Sequence, residues 1–142
     1  MSYTVWYRKT DNKKWPYQLI DEYSYALPDS WPKLKEAIIT PYVVLTTTHV
    51  LTLSKNYSWN GADVAIDTEN IMRSSLVHDA LCQLIGMGKL PFHPYRKLAD
   101  EALYQVSREN GMGWVRATYV YYACRFYANA VIPVQKFLKL RK

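Results

Sequence analysis

Residues 74–86 read SSLVHDALCQLIG, and they carry the clearest helical pattern in the chain. Taken with the residues before them, they place one stripe at the spacing of an amphipathic helix, and its members are Ile71, Ser75, His78, Cys82 and Ile85. Asp67 or Thr68 is suited to cap the start of this helix, and Gly86 is a typical stop after its end. The pattern predicts a helix whose buried face contains a histidine.

Two more helices are predicted after a loop rich in glycine and proline at residues 86–94. The second spans about residues 95–109, and the third spans about residues 113–131. The apolar stripe of the third helix consists of Trp114, Ala117, Tyr121, Cys124, Ala128 and Val131. Because a short loop joins the first two helices, we expect them to form an antiparallel pair.

Residues 1–66 indicate strands and loops. Segments 3–8 and 17–27 are rich in aromatic and β-branched residues, and residues 42–53 alternate as one half-buried strand or a pair of short strands would. A proline after a capping sequence predicts a short helix over residues 32–38. The sequence therefore predicts an α+β fold in one domain over 1–142, with β and loop at 1–66, three helices at 67–135 and a basic tail at 136–142.

Composition favours a protein with partners. The chain carries 13 Tyr, 5 Trp and 3 Phe, residue types that are enriched at protein interfaces. Its net charge of +6 fits contact with nucleic acid, an anionic membrane or an acidic protein. A solvated basic surface is the favoured interpretation because no nucleic-acid motif accompanies the charge, although contact through the basic tail stays open.

Targeting signals are not expected. The first residues lack the apolar run of a signal peptide, and no stretch reaches the roughly 20 apolar residues of a membrane span. The longest apolar stretch, residues 117–134, is interrupted by Arg125 and Asn129. Cys82 and Cys124 both fall in predicted helices, where a disulfide is neither implied nor excluded.

His78 and Asp79 are the first candidates for chemistry. Asp79 lies about 100° round the helix from His78, at the edge of the apolar face. Burying a carboxylate without a partner is costly, so Asp79 requires a cation, a hydrogen-bond donor or a metal. A core histidine with a locally paired acid and a functional His–Asp pair are about equally supported.

Asp100 on the second helix is a third candidate. Its distance from the loop is close to that of His78, so the two side chains reach similar heights in an antiparallel pair. Asp100 is therefore suited to orient His78, as a carboxylate orients a catalytic imidazole. The alternative is a flank acid paired with Arg96 one turn back, because Asp100 lies roughly 120° from the centre of the apolar face.

The segment 57–63, YSWNGAD, predicts a tight turn before the first helix, with Gly61 free to adopt unusual backbone angles. An ordinary turn is the favoured interpretation, and a turn that offers backbone groups to an ion is the alternative.

At these residues the chain resembles a family of small phage and prophage proteins of unknown function. Its pattern is a W-N-G-A-S turn, a V-H-D-x-L helix, an A-D-x-x-F helix and an R-A start to a last helix. The matching blocks here are residues 59–63, 75–81, 98–103 and 116–117, within a span of about 42–127. This sequence departs from the pattern at Asp63, at Cys82 and around Leu103 and Tyr104, and its first 40 residues have no counterpart.

A fainter similarity runs to the His–Asp site of secreted phospholipases. It implies that His78 activates water, that Asp100 holds His78, and that Asp79 binds calcium together with carbonyls of the turn at Asn60 and Gly61. A divalent cation such as calcium is the cofactor that this similarity implies. The disulfide framework and dense glycine loop of those enzymes are missing, as is the tyrosine expected near Cys82.

The phage resemblance implies a virion-associated structural or assembly protein of the tail or connector region. Its expected partners are other virion proteins in a homo- or hetero-oligomer, and its expected location is the virion or the host cytoplasm, without a signal peptide. The alternative is a phage hydrolase of ester, phosphoester or cell-wall bonds, with His78 as general base beside Asp79 and Asp100. The sequence leaves open whether the chain is an enzyme. A third class, a small basic protein acting on host nucleic acid or host defence, has no specific residue behind it.

Overall fold

The computed structural model describes residues 4–61 and 69–131 and shows the expected α+β fold, with antiparallel strands before helices. The strands are β1 Tyr7–Lys9, β2 Tyr17–Leu19, β3 Tyr23–Ala26, β4 Ile38–Ile39, β5 Val43–Leu45, β6 Val50–Leu53 and β7 Ser58–Trp59. The helices are α1 Glu69–Gly86, α2 Phe92–Glu109 and α3 Trp114–Phe126, and a π-helical turn, Tyr127–Val131, continues α3. The predicted cap at Asp67 or Thr68 and the basic tail at 136–142 lie outside the described residues.

The strands form two antiparallel sheets, ordered β1-β2-β7 and β3-β6-β5-β4. The alternation at residues 42–53 belongs to a pair of short strands, in which Val43 pairs with Leu53 and Leu45 with Leu51. These four residues are buried, while His49 adopts a positive φ of 66° between the strands. The pattern of alternation therefore found the buried face of the second sheet.

The short helix predicted over 32–38 is wrong. Residues 32–37 are neither helix nor strand, and Ile38 opens β4 by pairing with Leu45. A helix of this length forms too few hydrogen bonds to offset its nucleation cost, whereas strand pairing places Ile38 against the core. Segment 17–27 also divides, since β2 and β3 belong to different sheets.

Helix α3 buries a face slightly different from the one predicted. Its buried residues are Ala117, Val120, Cys124 and, in the π-helical turn, Ala128. Trp114 was expected on this face but is 65 % exposed. Because Val120 is buried as well, the centre of the buried face lies further round the helix than predicted. Trp114 lies roughly 75° from this centre, which explains the error.

Two apolar clusters hold these layers together. The larger one joins both sheets to α1 and α2, with Leu19, Leu53, Trp59, Leu76 and Leu84 among its most buried members. The smaller one attaches α3 to α1 and α2, and it consists of Ile71, Leu103, Met112, Ala117, Val120 and Cys124. Among the described helices, none combines the length and apolarity that a membrane crossing requires.

Candidate functional site

Helices α1 and α2 bring two of the predicted residues into direct contact. His78 Nε2 lies 2.7 Å from Asp100 Oδ1, although the two residues are 22 positions apart. Because an ionised carboxylate only accepts hydrogen bonds, Nε2 carries the proton and donates it to Asp100. The similar heights of His78 and Asp100 that the antiparallel helix pair predicts are confirmed by this contact.

Asp100 is fully buried and holds two arginines as well. Arg96 Nε donates to Oδ1 at 3.1 Å, and Arg125 Nη1 donates to Oδ2 at 2.8 Å. The carboxylate contacts both His78 and Arg96, so the two alternative partners predicted for Asp100 are present together. Its expected place on the flank of the helix is wrong, because α3 covers this side of α2 and supplies Arg125.

The charges around Asp100 decide its ionisation. Burial raises the pKa of this carboxyl, but hydrogen bonding and attraction from His78, followed by Arg96 and Arg125, outweigh burial and lower the pKa below its usual value. Asp100 is consequently an anion over the whole physiological range. A buried anion with three donors is a rigid acceptor for the imidazole.

The pKa of His78 is shifted in the opposite direction, upward. Burial by itself lowers its pKa, but the charge of Cys82 and the hydrogen bond to Asp100, with a further contribution from Asp79, raise the pKa well above the ordinary value. The second ring nitrogen, Nδ1, lies 4.0 Å from Asp79 Oδ1 and 3.9 Å from Cys82 Sγ. Nδ1 is therefore the ring atom left to exchange a proton with a reactant.

Asp79 is half-buried and holds the backbone at Asn60, directly after β7. Its Oδ2 accepts a hydrogen bond from the backbone N–H of Asn60 at 3.2 Å. Gly61 has a φ of 86°, a backbone angle that a side chain would strain, in agreement with the freedom expected of this glycine. The last residues of the predicted turn, 62 and 63, lie outside the described residues. Trp59 Nε1 donates to Ser75 Oγ at 3.1 Å and fixes the end of β7 against α1.

The predicted metal ligands Asp79, Asn60 and Gly61 border one cavity, but their contact uses an amide donor. Among the described residues, the group with metal-ligand spacing is instead His78, Asp100 and Cys124. Arg96 and Arg125 already bind the Asp100 carboxylate, and a cation placed there would repel both guanidiniums. The calcium site stays a prediction, and the buried group is a poor cation site for the same electrostatic reason.

A cavity of about 740 Å³ gives access to these groups. Its wall includes Tyr57, His78, Asp79, Cys82, Arg96 and Cys124. Such a volume is typical of a site for a small molecule or a segment of a larger one. Polar groups converge on one part of its wall, next to the His78 ring.

Cys82 belongs to this site, although it was not among the residues predicted to carry chemistry. Its Sγ lies 3.6 Å from His78 Nε2, and both cysteines are free thiols. The spacing of four residues places Cys82 one turn beyond His78 on the same helix face, which was the available signal. Arg125 could not have been found this way, because it comes from α3 and is 25 positions from Asp100.

Comparison of the chain with family models, curated proteins and solved structures finds no match in any of the three. The resemblances to phage proteins and to secreted phospholipases therefore stay predictions.

Proposed function

We propose that the protein is a hydrolase in which His78 acts as general base and Asp100 orients it. The observation that carries this proposal is the 2.7 Å contact between His78 Nε2 and Asp100 Oδ1, beside a cavity that reaches His78. A carboxylate on one ring nitrogen fixes the tautomer, and the other nitrogen can take a proton from a reactant once the pH exceeds the raised pKa of His78.

The arginines support this assignment. Since Arg96 and Arg125 keep Asp100 ionised and fixed, the imidazole cannot lose its partner when its own charge changes. Asp100 receives donors from three helices, so its carboxylate is held in one position beside the imidazole. Candidate substrates are esters, phosphoesters and cell-wall bonds.

The experiment is an assay of the purified full chain against p-nitrophenyl acetate, p-nitrophenyl phosphate and purified cell wall. We expect hydrolysis of at least one of them, and His78→Asn should lower kcat/KM by about 100-fold or more. His93→Asn is the matched control, because His93 is exposed and lies outside the cavity wall.

Asp100→Asn tests the orienting role, with Glu101→Gln as its control on the exposed side of α2. Loss of activity in Asp100→Asn with normal activity in Glu101→Gln supports the proposal. Equal activity of His78→Asn and the wild type would refute it. For His78→Asn and Asp100→Asn, an unchanged circular dichroism spectrum shows that a loss of activity is not a loss of fold.

A second candidate function, assembly into a phage particle, is favoured by one face of α3. Val115, Tyr119, Tyr122 and Phe126 form a stripe along this helix, and each is 65–68 % exposed. Contiguous exposed apolar surface of this kind is typical of protein contacts. A virion component should copurify with particles in fixed stoichiometry, and its absence from purified particles would exclude this function.

A further inference from the structure

The thiol of Cys82 is placed where the proposed base would use it. His78 Nε2 is committed to Asp100, so Nδ1 is the ring atom that accepts a proton. Two groups lie at nearly equal distance from Nδ1. One is Cys82 Sγ at 3.9 Å, which is also 3.6 Å from Nε2, and the other is Asp79 Oδ1 at 4.0 Å. Of these two, only the thiol carries a proton that His78 could remove and becomes a strong nucleophile when it is lost.

We propose that Cys82 is the nucleophile of this hydrolase and that its substrates are acyl compounds, namely esters, thioesters or amides. This inference rests on the proposed function and deepens it. Asp100, His78 and Cys82 supply the carboxylate, imidazole and thiol that cysteine-dependent acyl transfer uses. Contacts of this kind are often longer in the absence of substrate than during reaction.

The charges favour a neutral carbonyl over a phosphate. A phosphoester substrate requires free guanidinium or ammonium groups around its oxygens. Arg96 and Arg125, the arginines of this cluster, each donate to Asp100, and Arg125 Nη2 also donates to Asn129 at 3.3 Å. Of the two, Arg96 borders the cavity, where its positive charge favours the developing oxyanion of a carbonyl substrate.

The reaction balances within this cluster. The Cys82 proton passes to His78 Nδ1, the sulfur attacks the acyl carbon, and the new C–S bond forms as the carbonyl π electrons move to oxygen. Collapse of this oxyanion breaks the bond to the leaving group, which takes the proton from Nδ1. Water then gives a proton to Nδ1 and attacks the thioester, the C–S bond breaks, and the thiolate recovers the proton from His78.

Chemical labelling tests the reactivity of the thiol. In a Cys124→Ala background, Cys82 is the only cysteine left, and iodoacetamide should modify it at neutral pH at least 10-fold faster in the presence of His78 than in its His78→Asn derivative. Equal labelling rates with and without His78 would overturn the proposal. Arg8→Gln, an exposed substitution on β1, serves as a charge control for general effects on the reagent.

The acyl intermediate provides the second test. Rapid mixing with p-nitrophenyl acetate should release a burst of about one equivalent of nitrophenolate, and peptide mapping should find the acetyl group on Cys82. Cys82→Ala should abolish both, with Cys82→Ser as a variant of nearly unchanged volume. Full hydrolysis by Cys82→Ala together with an inactive His78→Asn would overturn the cysteine route and leave the general-base proposal standing. Activity in both variants would refute both proposals.

Discussion

Two buried polar clusters lie along the α1–α2 pair, and they differ in what their polar atoms face. In the Arg73 cluster, the guanidinium donates to Tyr23 Oη, to Glu109 Oε2 at 3.3 Å and to Asn110 Oδ1 at 2.9 Å. It also lies 5.0 Å from the centre of the Tyr25 ring. These contacts fasten α1 to β3 and to the end of α2, and none of these residues borders the cavity.

The Asp100 cluster also combines a carboxylate with guanidinium groups, but in a different arrangement. Its carboxylate is sealed between Arg96 and Arg125, while His78 and Cys82 border the cavity. The comparison shows that a buried ion pair alone does not mark a functional site. The distinguishing feature of the Asp100 cluster is the His78 imidazole. Its Nε2 is held by Asp100, and its ring borders the cavity.

The largest change in stability is expected from Arg73→Met. Removing this cation leaves Glu109, Asn110 and the Tyr23 hydroxyl without their shared partner, so the free energy of unfolding should fall by about 4 kcal/mol in urea titrations. Hydrolytic kcat/KM of the folded protein should not change, because Arg73 lies outside the cavity wall. Lys89→Met, an exposed substitution beyond α1, is the control. A large loss of activity in folded Arg73→Met would contradict the division between the clusters.

A smaller loss of stability is expected from Arg125→Met. Asp100 keeps Arg96 and His78, so the free energy of unfolding should fall by about 2 kcal/mol, the worth of a hydrogen bond to a charged group. Here kcat/KM should fall as well, on the order of 10-fold, because Asp100 can turn and misplace His78. Lys97→Met on the exposed side of α2 should alter neither quantity. Unchanged activity would show that Arg125 has no positioning role.

Tyr25→Phe should have a milder effect. The Tyr25 hydroxyl donates to Glu109 Oε1 at 3.1 Å, and its loss should cost about 1.5 kcal/mol in thermal or urea unfolding. Burial, followed by the charge of Glu109, raises the pKa of Tyr25, so the tyrosine stays protonated as a donor. Tyr119→Phe on the exposed face of α3 is the control. A cost equal to that of Arg73→Met would mean that the hydroxyl, not the guanidinium, dominates this cluster.

The smallest effect on stability is expected from a change of pH, which alters the protonation of side chains without replacing any of them. The folded-state pKa of His78 is raised above the unfolded value of 6.5, so its contribution to stability is complete below that pH and is lost as pH rises through the folded-state pKa. The pKa of Asp100 is lowered, so its contribution is present above 3.8 and is lost as pH falls through the folded-state pKa. Urea unfolding across pH should show both slopes in the wild type. The alkaline slope should vanish in His78→Asn, and its persistence would assign it to another group.

Much of the fold was predictable because it follows from local patterns. The three helices and the strands of residues 42–53 have clear periodicity, and their type and approximate extent were predicted. The error at 32–38 arose where a proline and a capping sequence suggested a helix, but pairing of Ile38 with Leu45 took precedence. Such pairing joins distant residues and leaves no local signal.

The candidate site divides in the same way. His78 and Asp100 were found because the antiparallel pair fixes their relative height, and the Arg96–Asp100 contact follows from a spacing of four residues. The burial of Asp100 was missed because it depends on where α3 packs. Cys82 was overlooked since a free cysteine on an apolar stripe is usually a small core residue.

The small cluster that attaches α3 has a further consequence. Most of its α3 members have short side chains, and the helix is otherwise tied to α2 through Arg125 and Asp100. Little apolar area is therefore exposed when α3 detaches, whereas separating α1 from the sheets disrupts the larger cluster. Amide protons of α3 should exchange with deuterated solvent through a local opening that leaves α1 protected.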